Sequence, residues 1–388
     1  MTPIPLLDLT AQYATIRTEV EKALLQVVES QHFILGPEVE KLEKALAGYL
    51  ECKHAVGVSS GTDALLVALM AIDLRPGDEV IVPTYSFFAT AGVVARLQAV
   101  PVFVDIDPLT FNIDPGRIEP RITARTRAII PVHLFGQSAE MDELMRIARQ
   151  HGLRVIEDAA QAIGAQYRDG RRAGSIGDLG CFSFFPTKNL GCFGDGGLVT
   201  TQDAELAEKL RVLRVHGARP KYYHKIIGGN FRLDAIQAAV LNAKLPHLDG
   251  WSAKRRQNAD VYSRLFVAAG LARDGAPPGD AEGDPVVISQ AVYRGSAASS
   301  YHVYNQYVIR VRERARLRPY LADKGIGTEI YYPVPFHRQE CFASLRCRDQ
   351  DYPQANTAAD TSLALPMFPE LSEPQLEFVV QAIRDFYR

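Results

Sequence analysis

The sequence predicts an α/β protein with a mostly parallel central sheet, helices on both of its faces, and a smaller C-terminal α+β domain. Three observations carry this. From Cys52 to Val199, short β-branched runs alternate with longer segments whose apolar residues recur at helical spacing. Most of the short runs are apolar throughout, as expected of strands covered on both faces. After Leu245-Pro246 the alternation stops, and a long charged helical pattern leads into a shorter mixture of strands and helices.

Taken in order, the strand candidates are "HAVGVS", "DEVIVPTY", "VPVFVDI", "RAIIPVHL", "LRVIEDA", "GCFSFF" and "GGLVTT", with "TDALLVALMAI", "FFATAGVVARLQ" and "AEMDELMRIARQHG" as helices between them. Beyond them "HLDGWSAKRRQNADVYSRL" is a helix, and "RDGAPPGDAEGDP" a Gly/Pro/Asp-rich loop or insertion. "YHVYNQYVIRV" and "GTEIYY" are expected strands; "RARLRPYLADKGI" and "EPQLEFVVQAIRDFY" are expected helices. The predicted division is therefore a large domain over 1–245, with an N-terminal helical segment, and a small domain over 246–388.

Composition narrows the class. With 47% hydrophobic and 23% charged residues, the 388-residue chain is of ordinary globular type. Its 43 basic and 45 acidic residues leave a net charge of -2. No like-charge run is long enough to coat a nucleic acid or an acidic membrane, so neither is an expected partner. "MTPIPLLDLTAQY" lacks a basic stretch followed by a continuous apolar one, and no segment approaches the roughly 18 apolar residues that cross a bilayer. A cytoplasmic protein is expected. The five cysteines (Cys52, Cys181, Cys192, Cys341, Cys347) have no CxxC spacing, which predicts neither a metal site nor a disulfide framework.

Four features point to chemistry. In "SFFPTKNLG" Lys188 follows an apolar run, where desolvation lowers the pKa of an amine and makes it nucleophilic. By itself such a lysine reads as a strand end reaching for solvent. "RVIEDAAQAIGA" ends a strand candidate on Glu157-Asp158, at the carboxyl end where parallel sheets bind ligands. A lysine for an aldehyde and a carboxylate for a pyridine nitrogen are the two groups that pyridoxal phosphate requires. "VGVSSGTDALLVAL" gives a strand, a tight Ser59–Thr62 turn and a helix whose N-terminus suits a phosphate, and Ser183 offers a hydroxyl to the same anion. "VPTYSFFATA" supplies Tyr85, Phe87 and Phe88, one of which would serve as an aromatic face for the ring.

These residues, together with "PVFVDIDPLTFNID", "AIIPVHLFGQ", "GCFSFFPTKNLGCFGDGGLVTT", "GNFRLDAIQAAVLNAKL" and "IGTEIYYPVPFH", resemble the DegT/DnrJ/EryC1/StrS family of sugar aminotransferases over nearly the whole chain. The resemblance implies the pyridoxal-phosphate transferase fold of type I, the cofactor passing through pyridoxamine phosphate in turnover. It makes Lys188 the Schiff-base lysine and Asp158 the partner of the ring nitrogen, with Gln161 near the phenolic oxygen. It assigns the phosphate to Gly61, Thr62 and Ser183, ring stacking to Phe87, and a reach into the neighbouring subunit's cofactor to Asn230. Tyr331, Tyr332 and His337 lie in a segment that in this family approaches a nucleotide-linked sugar. A homodimer with shared sites is implied, with glutamate as the expected amino donor. The expected acceptor is a dTDP-linked 3-keto-6-deoxyhexose aminated at C3; a 4-keto sugar aminated at C4 is the alternative.

Three rival readings are weaker. A dehydratase of the same fold has histidine in place of the lysine. A dinucleotide-binding loop at "GCFGDGGL" would need to lie between a strand and a helix, whereas here it precedes a strand. A non-catalytic regulator would be free to lose Lys188, Asp158, Gln161 and Ser183, and all four are present.

Overall fold

The computed structural model describes residues 3–273 and 283–388. Two helices, α1 (Leu9–Ser30) and α2 (Pro37–Tyr49), precede the first strand. A seven-stranded sheet follows: β1 (His54–Val58), β2 (Glu79–Pro83), β3 (Val100–Val104), β4 (Thr126–Ile129), β5 (Arg154–Asp158), β6 (Leu179–Ser183) and β7 (Gly197–Thr201). These are the seven segments the sequence predicts as strands. Their spatial order is β1-β7-β6-β5-β4-β2-β3. All neighbours from β3 through β6 run parallel, while β7 is antiparallel to both β1 and β6. Two antiparallel steps return β1 to the direction of β6, so the carboxyl ends of β1, β5 and β6 lie on one rim.

The apolar runs are explained by cover on both sides. On β2, Val80 and Val82 belong to one buried cluster and Ile81 to another, because successive side chains point to opposite faces. The first cluster includes residues of α3 (Gly61–Ala71) and α4 (Ala89–Arg96); the second includes the apolar stripe Met141, Leu144, Ile147 and Ala148 of α5 (Met141–His151). Beyond β7 come α6 (Ala204–Leu213) and α7 (Ala235–Lys244). Three cysteines, Cys52, Cys181 and Cys192, are buried as free thiols.

The C-terminal part begins with α8 (Leu248–Ala268), which packs through Tyr262 and Phe266 onto a three-stranded antiparallel sheet. That sheet has the order β10-β9-β8, formed by β8 (Val286–Ile288), β9 (Tyr307–Val311) and β10 (Ser362–Leu365). Helices α9 (Arg314–Asp323), α10 (Pro353–Thr361) and α11 (Glu373–Tyr387) complete it. The expected strand "GTEIYY" is absent as a strand: this segment makes only the isolated bridge Glu329–Ala364, with Ile4–Ile326 just before it. Its other ladder groups are taken elsewhere, since the Tyr85 hydroxyl donates to Tyr331 O at 2.5 Å and accepts from the Tyr332 N–H at 2.7 Å. The Gly/Pro/Asp-rich loop expected at 273–285 falls mostly on residues outside those described. Among the described residues, no helix is long and apolar enough to cross a membrane.

Candidate active site

Adjacent parallel strands bring the two central groups together. Asp158 ends β5 and pairs in register with Cys181 of β6, and β6 runs through Ser183 into the turn that carries Lys188. Asp158 is 5% exposed. Its Oδ2 accepts from the Thr90 hydroxyl at 2.8 Å and its Oδ1 from the Ala160 N–H at 3.2 Å. Burial raises its pKa above the ordinary carboxylate range, and the Thr90 hydroxyl, the Ala160 amide and the nearby Lys188 offset part of that rise. Lys188 is half-buried by area yet crowded by protein, which lowers its pKa to about 8 against the upward pull of Asp158. No hydrogen bond holds its amine among the described residues. The Lys188 turn is fixed by its main chain: the Lys188 N–H donates to Phe185 O at 2.9 Å, and Lys244 Nζ donates to Gly191 O at 2.7 Å.

The expected anion cradle is assembled from β1, α3 and β6. Ser60 caps α3, its hydroxyl accepting from the Asp63 N–H at 3.0 Å, and Gly61 and Thr62 form the first turn, where amides and the helix dipole favour an anion. A side-chain carbon on Gly61 would stand 2.6 Å from Ser183 Cβ, so glycine is required for the two segments to meet. The aromatic candidates separate clearly. Tyr85 is fully buried, Phe88 stacks on Phe342 with centroids 5.8 Å apart, and Phe87 is 57% exposed beside Tyr332.

Gln161 is oriented at both ends. The Phe135 N–H donates to its Oε1 at 2.7 Å, which turns its Nε2 toward the Tyr332 hydroxyl at 3.0 Å. Beneath it His133 and Glu157 form a fully buried pair at 2.7 Å. The Ala139 N–H donates to His133 Nδ1, so the ring proton lies on Nε2 and is given to Glu157. Glu157 also accepts from the amides of Gly174, Ile176 and Gly177. Of the sugar-segment candidates, Tyr331 and Tyr332 are half-buried. His337 is engaged on both ring nitrogens, with Thr84 at 2.8 Å and with Asn356 and Asp349 at 3.0 and 3.2 Å. Asn230 is exposed, in a segment whose Phe231 carbonyl accepts from the Ser59 N–H beside the end of β1.

The structure thus gathers Lys188, Asp158, Gln161, Ser183, Gly61, Thr62 and Phe87 along one rim of the sheet. Sequence reasoning missed Thr90, Phe135 and His133, and named Glu157 beside Asp158 without giving it a role. A polar residue on the otherwise Ala/Val helix "ATAGVV" was the available signal for Thr90; nothing local marked Phe135, which acts through its backbone.

These groups suit pyridoxal phosphate on their own chemistry. A buried carboxylate with no cation bonded to it, an unbonded amine of lowered pKa, a helix N-terminus closed down to a glycine, and an exposed ring are four separate needs of one ligand. The fold and this donor set define a pyridoxal-phosphate-dependent transferase. Residues 14–384 match the DegT/DnrJ/EryC1/StrS aminotransferase family, and the chain belongs to it. Over 385 residues it is 50% identical to a pleiotropic regulatory protein of Geobacillus stearothermophilus, covering 99% of each chain. It is 45% identical to the UDP-N-acetyl-3-dehydro-α-D-glucosamine 3-aminotransferase of Acidithiobacillus ferrooxidans, covering 99% of this chain and 98% of that one. The solved structure of S. venezuelae DesV in complex with a ketimine intermediate superposes with a TM-score of 0.91 at 42% identity, covering 100% of this chain and 99% of that one.

Proposed function

We propose that this chain moves an amino group from an amino acid, with glutamate as the expected donor, to a nucleotide-linked keto-sugar, at C3 of a dTDP-linked 3-keto-6-deoxyhexose. The observation that carries the reading is Asp158 at the end of β5 with Lys188 in the turn that follows the adjacent parallel strand β6. A relative named as a 3-aminotransferase supports amination at C3. When bound, pyridoxal phosphate supplies an aldehyde to hold the amino group and a ring to accept electrons.

The chain's own residues do the rest. Lys188, with a pKa of about 8, would hold the cofactor and would serve as the general acid–base that accepts and returns a proton. Asp158 keeps a proton on the ring nitrogen, and Thr90 keeps Asp158 ionised for that work. The amides of Gly61 and Thr62 and the Ser183 hydroxyl hold the phosphate. Phe87 would lie against the cofactor ring, and Gln161 would reach its oxygen. Tyr331 and Tyr332 are assigned to the sugar nucleotide, and His337 to bracing their segment against Thr84. In this reading residues 1–245 bind the cofactor and 246–388 form the smaller part.

A homodimer with shared sites belongs to the same proposal, with Asn230 reaching the partner's phosphate. The exposed Ile227, Tyr222, Phe185 and Phe193, at 90%, 78%, 49% and 46%, support a covering partner for this region. The name of the Geobacillus relative supports a second reading, a regulator, against which the complete Lys188–Asp158 site weighs. The experiment is incubation of the purified protein with glutamate and, in turn, 3-keto and 4-keto nucleotide sugars, followed by location of the new amine. Amination at C3 is expected; amination at C4 overturns the regiochemistry, and no amination of any keto-sugar overturns the function.

A further inference from the structure

Two buried asparagines bond to each other beside Lys188. Asn189 follows Lys188 in the chain and is 4% exposed; Asn305, in the bend just before β9, is 8% exposed. Asn189 Nδ2 donates to Val303 O at 2.9 Å, and Asn305 Nδ2 donates to Asn189 Oδ1 at 2.8 Å, so the Asn189 amide is bonded at both ends. Asn305 is anchored in turn. Its N–H donates to Phe135 O at 2.9 Å, and the buried Arg255 guanidinium donates to the carbonyl of Tyr304 at 3.1 Å. Next to it, the Val303 N–H donates to Gly136 O at 2.9 Å.

The other side of Phe135 completes a line. With φ at 59°, Phe135 gives its N–H to Gln161 while its carbonyl receives Asn305. A path of hydrogen bonds therefore runs from Gln161 through the N–H and the carbonyl on either side of Phe135, and through Asn305, to Asn189, the neighbour of Lys188. Among the described residues no hydrogen bond holds the Lys188 amine, so the backbone turn on which it stands, with its N–H on Phe185 O at 2.9 Å, sets where that side chain begins and how far the amine can reach. Misplacing a reacting group by about 1 Å costs on the order of a hundredfold in rate.

We propose that Asn305 is a positioning residue for Lys188: it fixes the Asn189 amide, and with it the turn that aims the lysine, in register with Gln161. The inference rests on Lys188 as the cofactor lysine. It differs from a core role for the pair, because a buried amide serving only stability would leave the behaviour of the amine unchanged.

The test uses full-length protein freed of cofactor. Capture of added pyridoxal phosphate is followed by absorbance, and borohydride reduction with peptide mapping reports which lysine holds it. Asn305→Ala and Asn189→Ala are each expected to slow capture at Lys188 about 10- to 100-fold, well below their melting temperatures. Combining them should slow it no further than the slower single change, since both cut one link. Wild-type capture rates in the single variants, or losses that multiply in the double variant, overturn the proposal. If Asn305→Ala does not fold, Asn189→Ala carries the same expectation from the other end of the bond. Failure of both to fold assigns the pair to the core and also overturns it. Capture by a different lysine in the unaltered protein would instead remove the reading of the site itself.

Discussion

The Thr90 hydroxyl donates to Asp158 Oδ2 over 2.8 Å inside a site where Thr90 is fully buried and Asp158 is 5% exposed. This bond works against the burial that raises the carboxyl pKa. Thr90→Val keeps the shape and removes the donor. A hydrogen bond to a charged group is worth about 1.5–3 kcal/mol. Without it the carboxyl pKa rises further, so the acid limb of the kcat/KM profile is expected to move to higher pH. An unshifted limb would show that Thr90 has no part in keeping Asp158 ionised.

Lys188 makes a prediction about stability without cofactor. Its folded pKa of about 8 lies below the ordinary 10.5, so between these values the unfolded chain binds more protons than the folded one. The lysine's contribution therefore improves as pH rises through that window and is most unfavourable below pH 8. Cofactor-free Lys188→Met should melt higher than the unaltered protein near pH 7, with the gap narrowing by pH 10. Melting curves at the two pH values decide it; an equal gap at both would mean that the amine is not desolvated.

Gly61 and Ser183 approach so closely that a methyl group on Gly61 would lie 2.6 Å from Ser183 Cβ and 3.1 Å from its Cα. Gly61→Ala must push β6 and α3 apart, at about 1–3 kcal/mol for overpacking. Because the same two segments form the proposed phosphate cradle, cofactor affinity should fall by about tenfold or more, as a loss of about 1.4 kcal/mol implies. Thermal melting and a cofactor titration measure the two effects. A lower melting temperature with unchanged affinity would separate the cradle from this contact.

The sequence was most legible where one cause dominates. All seven large-sheet strands were readable because cover on both faces makes each an apolar run, and Asp158 and Lys188 because a charge at the end of such a run is unusual. The short strand β10 was lost because its four residues follow directly on α10, with no turn residue between helix and strand to mark the change. "GTEIYY" has a strand's composition, yet a buried tyrosine some 250 positions earlier takes the backbone groups a neighbouring strand would need. Thr90, Phe135 and Asn305 were hidden for the same reason. Their roles are made by partners distant in sequence, and for Phe135 the acting group is a peptide that any residue has.

Shared sites can be tested by mixing defects. Asn230→Asp would set a carboxylate against the partner's phosphate and weaken cofactor binding through like-charge repulsion. Lys188→Ala subunits and Asn230→Asp subunits are exchanged into mixed dimers. If the asparagine acts across the interface, one site of each mixed dimer carries both defects and the other neither, so about half of the unaltered activity per dimer returns. If it acts within its own chain, nothing returns, and mixed dimers without activity would falsify the shared-site arrangement.

The central claim is that one lysine at the end of one strand holds the cofactor. Borohydride reduction of the purified protein loaded with pyridoxal phosphate, followed by peptide mass analysis, reads this out directly. The cofactor's added mass is expected on the peptide containing Lys188, and Lys188→Ala, folded as judged by circular dichroism, should acquire no such mass and lose about a thousandfold or more in turnover. The added mass on Lys244, the other buried lysine with a pKa near 8, or on any other peptide, would contradict the account.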